Sequence, residues 1–252
     1  MNTVVNLYKR VGETPLEALT RLRNENPLLK DQKMTYAGRL DPMAKGVLIV
    51  LVGDAVYDKD NYTALPKKYD FELLLGVETD TLDVLGCVEK IENTAFPSKE
   101  ELEKAMSLYR GVIDQKYPLY SSKTVEGVPL WSRVRSGESG FVTPSHEVEI
   151  YSLVQNEIYT LTCDEIFSSV YERVGYVNGD FRQDMIRESW KKEFLNKKNK
   201  GEKSVCISFS AHVSSGTYIR VLASDIAHAL GTVGIAYAIV RTSVGEYDGV
   251  VE

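Results

Sequence analysis

Residues that ligate metals or form disulfides are scarce in this sequence of 252 residues. Its three cysteines, Cys87, Cys163 and Cys206, are odd in number and far apart, and no two of them form a CxxC pair. Its three histidines are equally scattered, without the HxH or HExxH spacing of a zinc-binding motif. The composition therefore predicts no metal site and no disulfide framework, and favours reduced thiols in a reducing cytosol.

Long apolar runs and an excess of positive charge are also missing. The first ten residues lack the basic start and apolar stretch of a signal peptide, and no apolar run approaches the length that spans a membrane. These absences predict a cytoplasmic protein without membrane contact. The formal net charge of −6 argues weakly against a nucleic-acid partner, but a basic face can lie on an acidic protein.

Strand and helix patterns are both present, but they do not alternate as regular βαβ units. Thr14, Pro15 and Glu17 form a capping box that opens a helix with Leu16, Leu19 and Leu22 on one side. Further helices are predicted at 98–109, 181–196 and 218–230, and strands at 4–8, 46–53, 69–75, 87–91, 147–153 and 205–213. We expect one α+β domain over 1–252, with a mixed, largely antiparallel sheet flanked by helices and loops.

Two segments interrupt this pattern. Residues 111–146 are rich in turns, aromatics and basic side chains, which indicates an extended, mobile segment. Residues from about 155 to 203 are interpreted as an insertion, with a basic run at 196–201. The insertion also carries a basic patch that is as consistent with a solvated helix face as with an RNA contact: Arg182, Arg187, Lys191, Lys192, Lys197, Lys198, Lys200 and Lys203.

The segment of greatest chemical interest is 38–48, with the sequence GRLDPMAKGVL. It places a carboxylate, Asp41, at a turn directly before a buried strand. Judged locally, an Asp-Pro pair of this kind is most often a helix cap with proline at the first position.

The whole segment resembles the catalytic motif of the pseudouridine synthases, in particular the TruB-type family of tRNA pseudouridine-55 synthases. Five further segments resemble family elements in the family's order: 8–15 (YKRVGETP), 67–86 (KKYDFELLLGVETDTLDVLG), 117–127 (YPLYSSKTVEG), 215–220 (SGTYIR) and 241–245 (RTSVG). Any one of them is weak, but several in the same order are specific. The resemblance covers nearly the whole chain except about 155–203.

The resemblance implies that the chain isomerises uridine to pseudouridine in RNA, with Asp41 as the nucleophile and no cofactor. A carboxylate can attack covalently and leave again, provided that it stays ionised in a pocket that excludes water. By resemblance Arg220 supplies the compensating charge, and Tyr69 stacks on the target base and assists proton transfer. Alone, Arg220 would be interpreted as a surface arginine and Tyr69 as a core aromatic.

Substrate contacts are implied in two places. Tyr36, Arg39, Tyr218 and Leu222 are expected to form a pocket for an everted uridine, since aromatic and apolar walls replace its lost stacking. A thumb-like loop at about 116–146, with Lys123, Arg133 and Arg135 among interleaved aromatics, is expected to grip the T-loop of tRNA.

The chain departs from the family pattern in two ways. Tyr36 stands where the family usually has a histidine that levers the base out, and the chain ends soon after Gly245, so the C-terminal RNA-binding PUA domain is expected to be missing. Both departures concern the substrate rather than the reaction. Alternatives are the same chemistry on another RNA or within a complex, and a non-catalytic RNA-binding or chaperone protein. Protein partners are not predicted by the sequence.

Overall fold

The structure is a computed structural model and describes residues 2–138, 140–198 and 203–249, without the side chains of 195–198. The predicted basic run at 196–201 therefore lies wholly outside the described side chains. No helix among the described residues is long and apolar enough to cross a membrane.

A single twisted sheet forms the centre of the molecule. Its strands are β1 (Thr3–Lys9), β2 (Met34–Ala37), β3 (Ala44–Val52), β4 (Lys67–Leu75), β7 (Gly111–Lys116), β10 (Ser145–Thr162), β11 (Lys203–Val213), β12 (Gly234–Val244) and β13 (Tyr247–Asp248). Small hairpins outside it pair β5 (Val77–Thr79) with β6 (Val88–Ile91), and β8 (Thr124–Val125) with β9 (Val128–Pro129).

The main path of the sheet runs β1-β3-β12-β4-β11-β10-β7, with β2 on β3 and β13 on β12. Among the described strands, β3 and β12 pair in parallel and the other pairs are antiparallel. The predicted α+β class with a mixed, largely antiparallel sheet is confirmed. The long strand β12 was predicted only as the short motif at 241–245.

Seven α-helices lie among the described residues: α1 (Pro15–Glu25), α2 (Lys59–Ala64), α3 (Lys99–Ser107), α4 (Leu130–Arg135), α5 (Cys163–Gly175), α6 (Gln183–Lys198) and α7 (Ile219–Ala229). The capping box predicted for α1 is present, because Thr14 accepts from the amide of Glu17 and Glu17 accepts from the amide of Thr14. The predicted apolar stripe is wrong at one position: Leu16 is 63% exposed, and Ala18 is buried beside Leu19 and Leu22 instead.

The segment 111–146 is more ordered than its composition predicts. Its first part is strand β7, which pairs with β10. The β8–β9 hairpin follows, and α4 comes after the hairpin. The prediction of an extended segment is therefore wrong at α4. These elements were not predicted, because the hairpin consists mainly of turn-forming residues and α4 is too short to show a helical periodicity.

The segment 155–203 continues β10 as far as Thr162 and then forms a pair of helices, α5 and α6. Their apolar residues enclose a hydrophobic cluster centred on Trp190, which is fully buried and donates its indole N–H to the carbonyl of Gly86 at 3.0 Å. This cluster includes Leu74 and Ile235 of the sheet. The inserted helices therefore cover one face of the sheet.

Helix α7 covers the opposite face. Leu222 and Ile226 pack there on Phe71, Leu73 and Ile207 in a second cluster of buried residues. Because successive residues of β4 point to opposite faces, Leu73 joins this cluster while Leu74 joins the other. The first turn of α7 reaches the same end of the sheet as the turn before β3, and a cavity opens between them.

Candidate active site

The cavity has a volume of about 780 Å³. That is within the range of roughly 300–1,000 Å³ common for ligand sites. Asp41 lies in the turn between β2 and β3, where its carbonyl accepts from the amide of Ala44 at 3.1 Å. Its side chain is 40% exposed toward the cavity, so the carboxylate can meet a ligand and is not only a turn cap.

Arg220 pairs with this carboxylate from the first turn of α7. Its Nε donates to Oδ2 of Asp41 at 2.7 Å and its Nη2 to Oδ1 at 3.3 Å. Nη1 donates to the carbonyl of Thr81 at 2.6 Å, and Nη2 also approaches the carbonyl of Tyr120 at 3.3 Å. With its side chain 3% exposed, the guanidinium is fixed in orientation.

Asp83 is a second carboxylate beside the same guanidinium, with its Oδ2 3.8 Å from Nε of Arg220. Its Oδ1 accepts from the hydroxyl of Thr81 at 2.7 Å and from the amide of Leu85 at 2.9 Å. Burial raises the pKa of Asp83, the charge of Arg220 opposes this, and the charge of Asp41 adds to it. Burial lowers the pKa of Arg220, but the two carboxylates more than offset it and the net shift is upward.

Sequence reasoning assigned no role to Asp83, although it lies within the family-like segment 67–86. Its position as the last acid of a TDTxD string was the available signal. Only the folded chain shows that it faces Arg220, since the two are far apart in sequence.

The turn that carries Asp41 is braced from below by two buried cations. Arg241 is 1% exposed and donates to the carbonyls of Val47 at 2.7 Å and Arg39 at 2.9 Å. Lys9 is fully buried, its Nζ donates to the carbonyl of Pro42 at 3.3 Å, and burial lowers the pKa of Lys9 to about 8. Neither was predicted as a site residue.

Gly46 allows strand β12 to approach this turn closely. It has φ +112, and a Cβ there would lie 2.2 Å from the carbonyl oxygen of Arg241. Any other residue would push β3 and β12 apart and displace Arg241 from the turn. This explains why a glycine follows Asp41 at that spacing.

Several predicted pocket residues line the cavity together with Asp41. Tyr69 reaches it from β4 and is 8% exposed, and Tyr36 and Arg39 line the side formed by β2 and the following turn. Tyr218 lines it just before α7, where its amide donates to Oε1 of Gln115 at 2.8 Å. Burial raises the pKa of Tyr218, and the charge of Asp41 adds to the rise.

Leu222 is placed differently from the prediction. It is fully buried in the core on the sheet side of α7 and is not among the cavity-lining residues. It lies two residues after Arg220 in α7, which places it on the other side of the helix, facing the sheet, while Ile219 and Ile239 supply the apolar lining. The predicted direct pocket role of Leu222 is therefore corrected.

The three cations predicted in the loop have different surroundings. Arg135 lines the cavity and pairs with Asp180, whereas Arg133 is 8% exposed and pairs with Glu126 at 2.9 Å and Glu138 at 2.6 Å. Lys123 lies over the ring of Tyr117, with Nζ 4.7 Å from the ring centroid. Nη1 and Nη2 of Arg133 are thus paired within the loop, and its predicted role in binding RNA stays a prediction.

Comparison with known proteins places this sequence in a family. The sequence model described as "TruB family pseudouridylate synthase (N terminal domain)" matches residues 26–167, more than half of the chain. The chain belongs to the TruB family. The match includes Asp41, Tyr69 and Asp83, while Arg220 lies beyond it.

Curated relatives extend the similarity over most of the chain. The tRNA pseudouridine synthase B of Limosilactobacillus reuteri is 32% identical over 98% of this chain and 68% of its own length. Those of Lactococcus lactis subsp. cremoris and Streptococcus pyogenes are 29% and 31% identical, over 62% and 65% of their own lengths. The chain therefore spans about two thirds of the length of these TruB-family relatives.

Solved structures agree on the fold. A chain in a structure titled "Crystal Structure of a Cbf5-Nop10-Gar1 Complex" superposes with a TM-score of 0.59 at 20% identity, over 98% of this chain and 50% of that one. A chain in an H/ACA ribonucleoprotein bound to a substrate RNA superposes with a TM-score of 0.58 at 17% identity, over 98% and 49%. At these identities the likeness concerns the fold alone.

Proposed function

We propose that this TruB-family chain isomerises a uridine of RNA to pseudouridine, that its substrate is the T-loop uridine 55 of tRNA, and that Asp41 is the nucleophile. The observation that carries the proposal is the bidentate pair of Asp41 with the buried Arg220 at the floor of an open cavity. The relatives named tRNA pseudouridine synthase B support the choice of tRNA. An enzyme of tRNA works where tRNA is, so we propose the cytoplasm as its location.

The reaction is balanced without an oxidant or a reductant. The bond from N1 of uracil to C1′ of ribose breaks, the ring turns, and a bond from C5 to C1′ forms. The hydrogen of C5 is lost to solvent and N1 gains one, so the product is an isomer. Asp41 attacks covalently and is released again, and Arg220 stabilises it whenever it carries the negative charge.

The walls of the cavity suit a base taken out of its stack. Tyr69 and Tyr218 offer aromatic surface to an everted uracil, and Ile219 and Ile239 offer apolar surface. Tyr36 lies at the rim formed by β2, where a ring can wedge into the space left by the base. We propose that it takes the place of the family's usual histidine.

The decisive experiment uses tRNA transcript that carries tritium at C5 of its uridines. Wild-type protein should release tritium, and Asp41→Asn should reduce the rate by roughly 10⁴-fold or more, as loss of a covalent nucleophile does. Asp54→Asn is a matched control, because Asp54 is an exposed carboxylate far from the cavity whose Oδ2 accepts from Asn2. It should release tritium at the wild-type rate.

Each outcome has one meaning. Turnover that survives Asp41→Asn rules out the nucleophile. A transcript with cytidine at position 55 should release nothing, and undiminished release from it would mean that another uridine is the substrate. Tight binding of tRNA without any release by the wild type would favour an RNA-binding protein that does not catalyse.

A further inference from the structure

The turn between α5 and α6 brings a guanidinium of the inserted segment to the wall of the cavity. Nη1 of Arg182 donates to Oδ2 of Asp80 at 2.6 Å, and both side chains are less than one-fifth exposed. Its Cζ lies 4.4 Å from the ring centroid of Tyr120, which belongs to the substrate-binding loop at 116–146. One side chain therefore links the insertion, the β5–β6 region and the loop.

The backbone at Arg182 is held in an unfavourable conformation. Its φ is +63, in the left-handed region that non-glycine residues seldom adopt. The turn is braced on its C-terminal side by Gln183, whose amide donates to the carbonyls of Val177 at 3.0 Å and Gly179 at 2.8 Å. A conformation of this kind persists where surrounding contacts hold it, and it clusters at functional sites.

The contact with Tyr120 reaches the floor of the site in one further step. The carbonyl of Tyr120 is one of the acceptors that surround Arg220, at 3.3 Å from its Nη2. Burial and the neighbouring carboxylate of Asp80 raise the pKa of Tyr120 to about 12, so its ring stays neutral and suited to stacking on a guanidinium. The loop is also tied to the turn by Arg135, which pairs with Asp180.

We infer that Arg182 is a positioning residue for the substrate-binding loop: it stacks on Tyr120 and holds the loop against the cavity before RNA arrives. The inserted helices are then part of the RNA-binding apparatus rather than an appendage. That the loop binds RNA depends on the proposed function. The contact between the turn and the loop does not depend on that function.

The first test needs no RNA. Hydrogen–deuterium exchange of the free protein should be compared between wild type and Arg182→Gly, a variant that removes the guanidinium and suits the positive φ. Exchange should rise several-fold in peptides covering 117–137, where the amides of Leu130 and Trp131 donate to the carbonyls of Lys123 and Ser121. It should stay unchanged in α5, α6 and α7.

The chain offers a matched control within the same insertion. Arg187 makes an equivalent contact, with its Cζ 4.3 Å from the ring centroid of Tyr171, but both residues belong to the α5–α6 pair. Arg187→Ala should leave exchange of the loop unchanged. Arg182→Lys, which keeps a charge for Asp80 but has no planar group to stack, should give an intermediate rise.

The second test measures single-turnover kinetics on tRNA. If the variant loop is in its binding-competent position only about one-tenth of the time, the apparent dissociation constant rises about ten-fold. The rate at saturating protein should stay within about two-fold, because bound RNA selects the competent loop. A merely structural role would instead lower the active fraction without changing the half-saturating concentration.

The outcomes separate the inference from the proposed function. Unchanged exchange in the loop of Arg182→Gly overturns the inference, and so does an equal rise throughout α5 and α6, which would mean that the helix pair itself had loosened. A wild-type protein that turns over no RNA defeats the proposed function, while the exchange measurement still decides the role of Arg182.

Discussion

The floor of the cavity consists of Asp41, Asp83, Arg220 and the bracing Arg241. This floor and the loop at 116–146 that borders it are held by interactions of different strength. At the floor, Arg220 and Arg241 are 3% and 1% exposed and their donors are directed at carboxylates and main-chain carbonyls. In the loop, Arg133 pairs with two largely exposed glutamates, and the pair between Arg135 and Asp180 is exposed on both sides.

This difference has energetic consequences. Removing one partner of a buried ion pair costs about 3–5 kcal/mol, because the other charge is left without compensation. An exposed pair contributes about 0–1 kcal/mol. The floor is therefore fixed before substrate arrives, whereas the position of the loop depends on a few weak contacts and on the stronger one at Arg182. Substitutions should separate the two regions by the size and the kind of their effects.

After Asp41 itself, the largest effect is expected at Arg220. Arg220→Ala leaves Asp41 and the buried Asp83 without a cation, so the free energy of unfolding should fall by about 3–5 kcal/mol. Turnover should fall by roughly 10³-fold or more, because Asp41, the proposed nucleophile, loses its stabilising charge. Affinity for tRNA should change by less than about three-fold, since Arg220 is too buried to contact phosphate.

Urea denaturation, filter binding and tritium release measure the three quantities separately. Arg220→Lys keeps the charge without the bidentate fork and should fall between wild type and Arg220→Ala in rate. Equal losses of rate and affinity would contradict the assignment of Arg220 to the floor.

The floor could be predicted from the sequence to a greater extent than the contacts that hold the loop. The resemblance to the TruB family pointed to Asp41 and Arg220 as a pair although 179 positions separate them, and the structure places them in direct contact. It did so because both lie in family-like segments. The contact between Arg182 and Tyr120 joins a family-like segment to the insertion, and no local sequence pattern predicts it.

Helix α5 was not predicted, although its sequence carries the signals of a helix. Thr162 and Glu165 form a capping box, and Cys163, Ile166, Val170 and Val174 follow at helical spacing. These signals were present in the sequence, but the segment was interpreted as an irregular insertion. The pairing of Arg133 with Glu126 and Glu138 could not be predicted in that way, because it depends on how the β8–β9 turn and α4 fold back on each other.

A smaller effect is expected at Asp83, the second carboxylate of the floor. Asp83→Asn keeps an oxygen for the hydroxyl of Thr81 and the amide of Leu85 but removes one charge from beside Arg220. Losing one contact of about 1.4 kcal/mol to a charged group should lower turnover roughly ten-fold. Asp70→Asn, on an exposed side chain of β4 that accepts from Ser210, is the control and should be neutral.

The same variant should also change how stability depends on pH. Burial raises the pKa of Asp83 in the folded state. Asp83 therefore contributes its full stabilisation at pH values below the ordinary pKa of Asp. That contribution is lost as the pH rises through the raised pKa of the folded state. Asp83→Asn removes that loss, so the free energy of unfolding of the variant should gain on the wild type as pH rises. A difference between the two that does not vary with pH would contradict the direction of the shift.

The smallest effect is expected in the loop, at Lys123. Its ammonium lies over Tyr117 at 4.7 Å and makes no ion pair within 4.0 Å among the described residues, so it is free to meet a phosphate of the RNA. Lys123→Ala should weaken tRNA binding a few-fold, and the slope of log affinity against log salt should become shallower by about one unit. The turnover rate at saturating protein should not change. Lys33→Ala is a matched control, because Lys33 lies 4.3 Å over the ring of Tyr57 just before β2, at the end of that strand away from the Asp41 turn. An unchanged salt slope for Lys123→Ala, or a lower saturating rate, would mean that the loop does not act through phosphate contacts and that the contrast with the floor is of another kind.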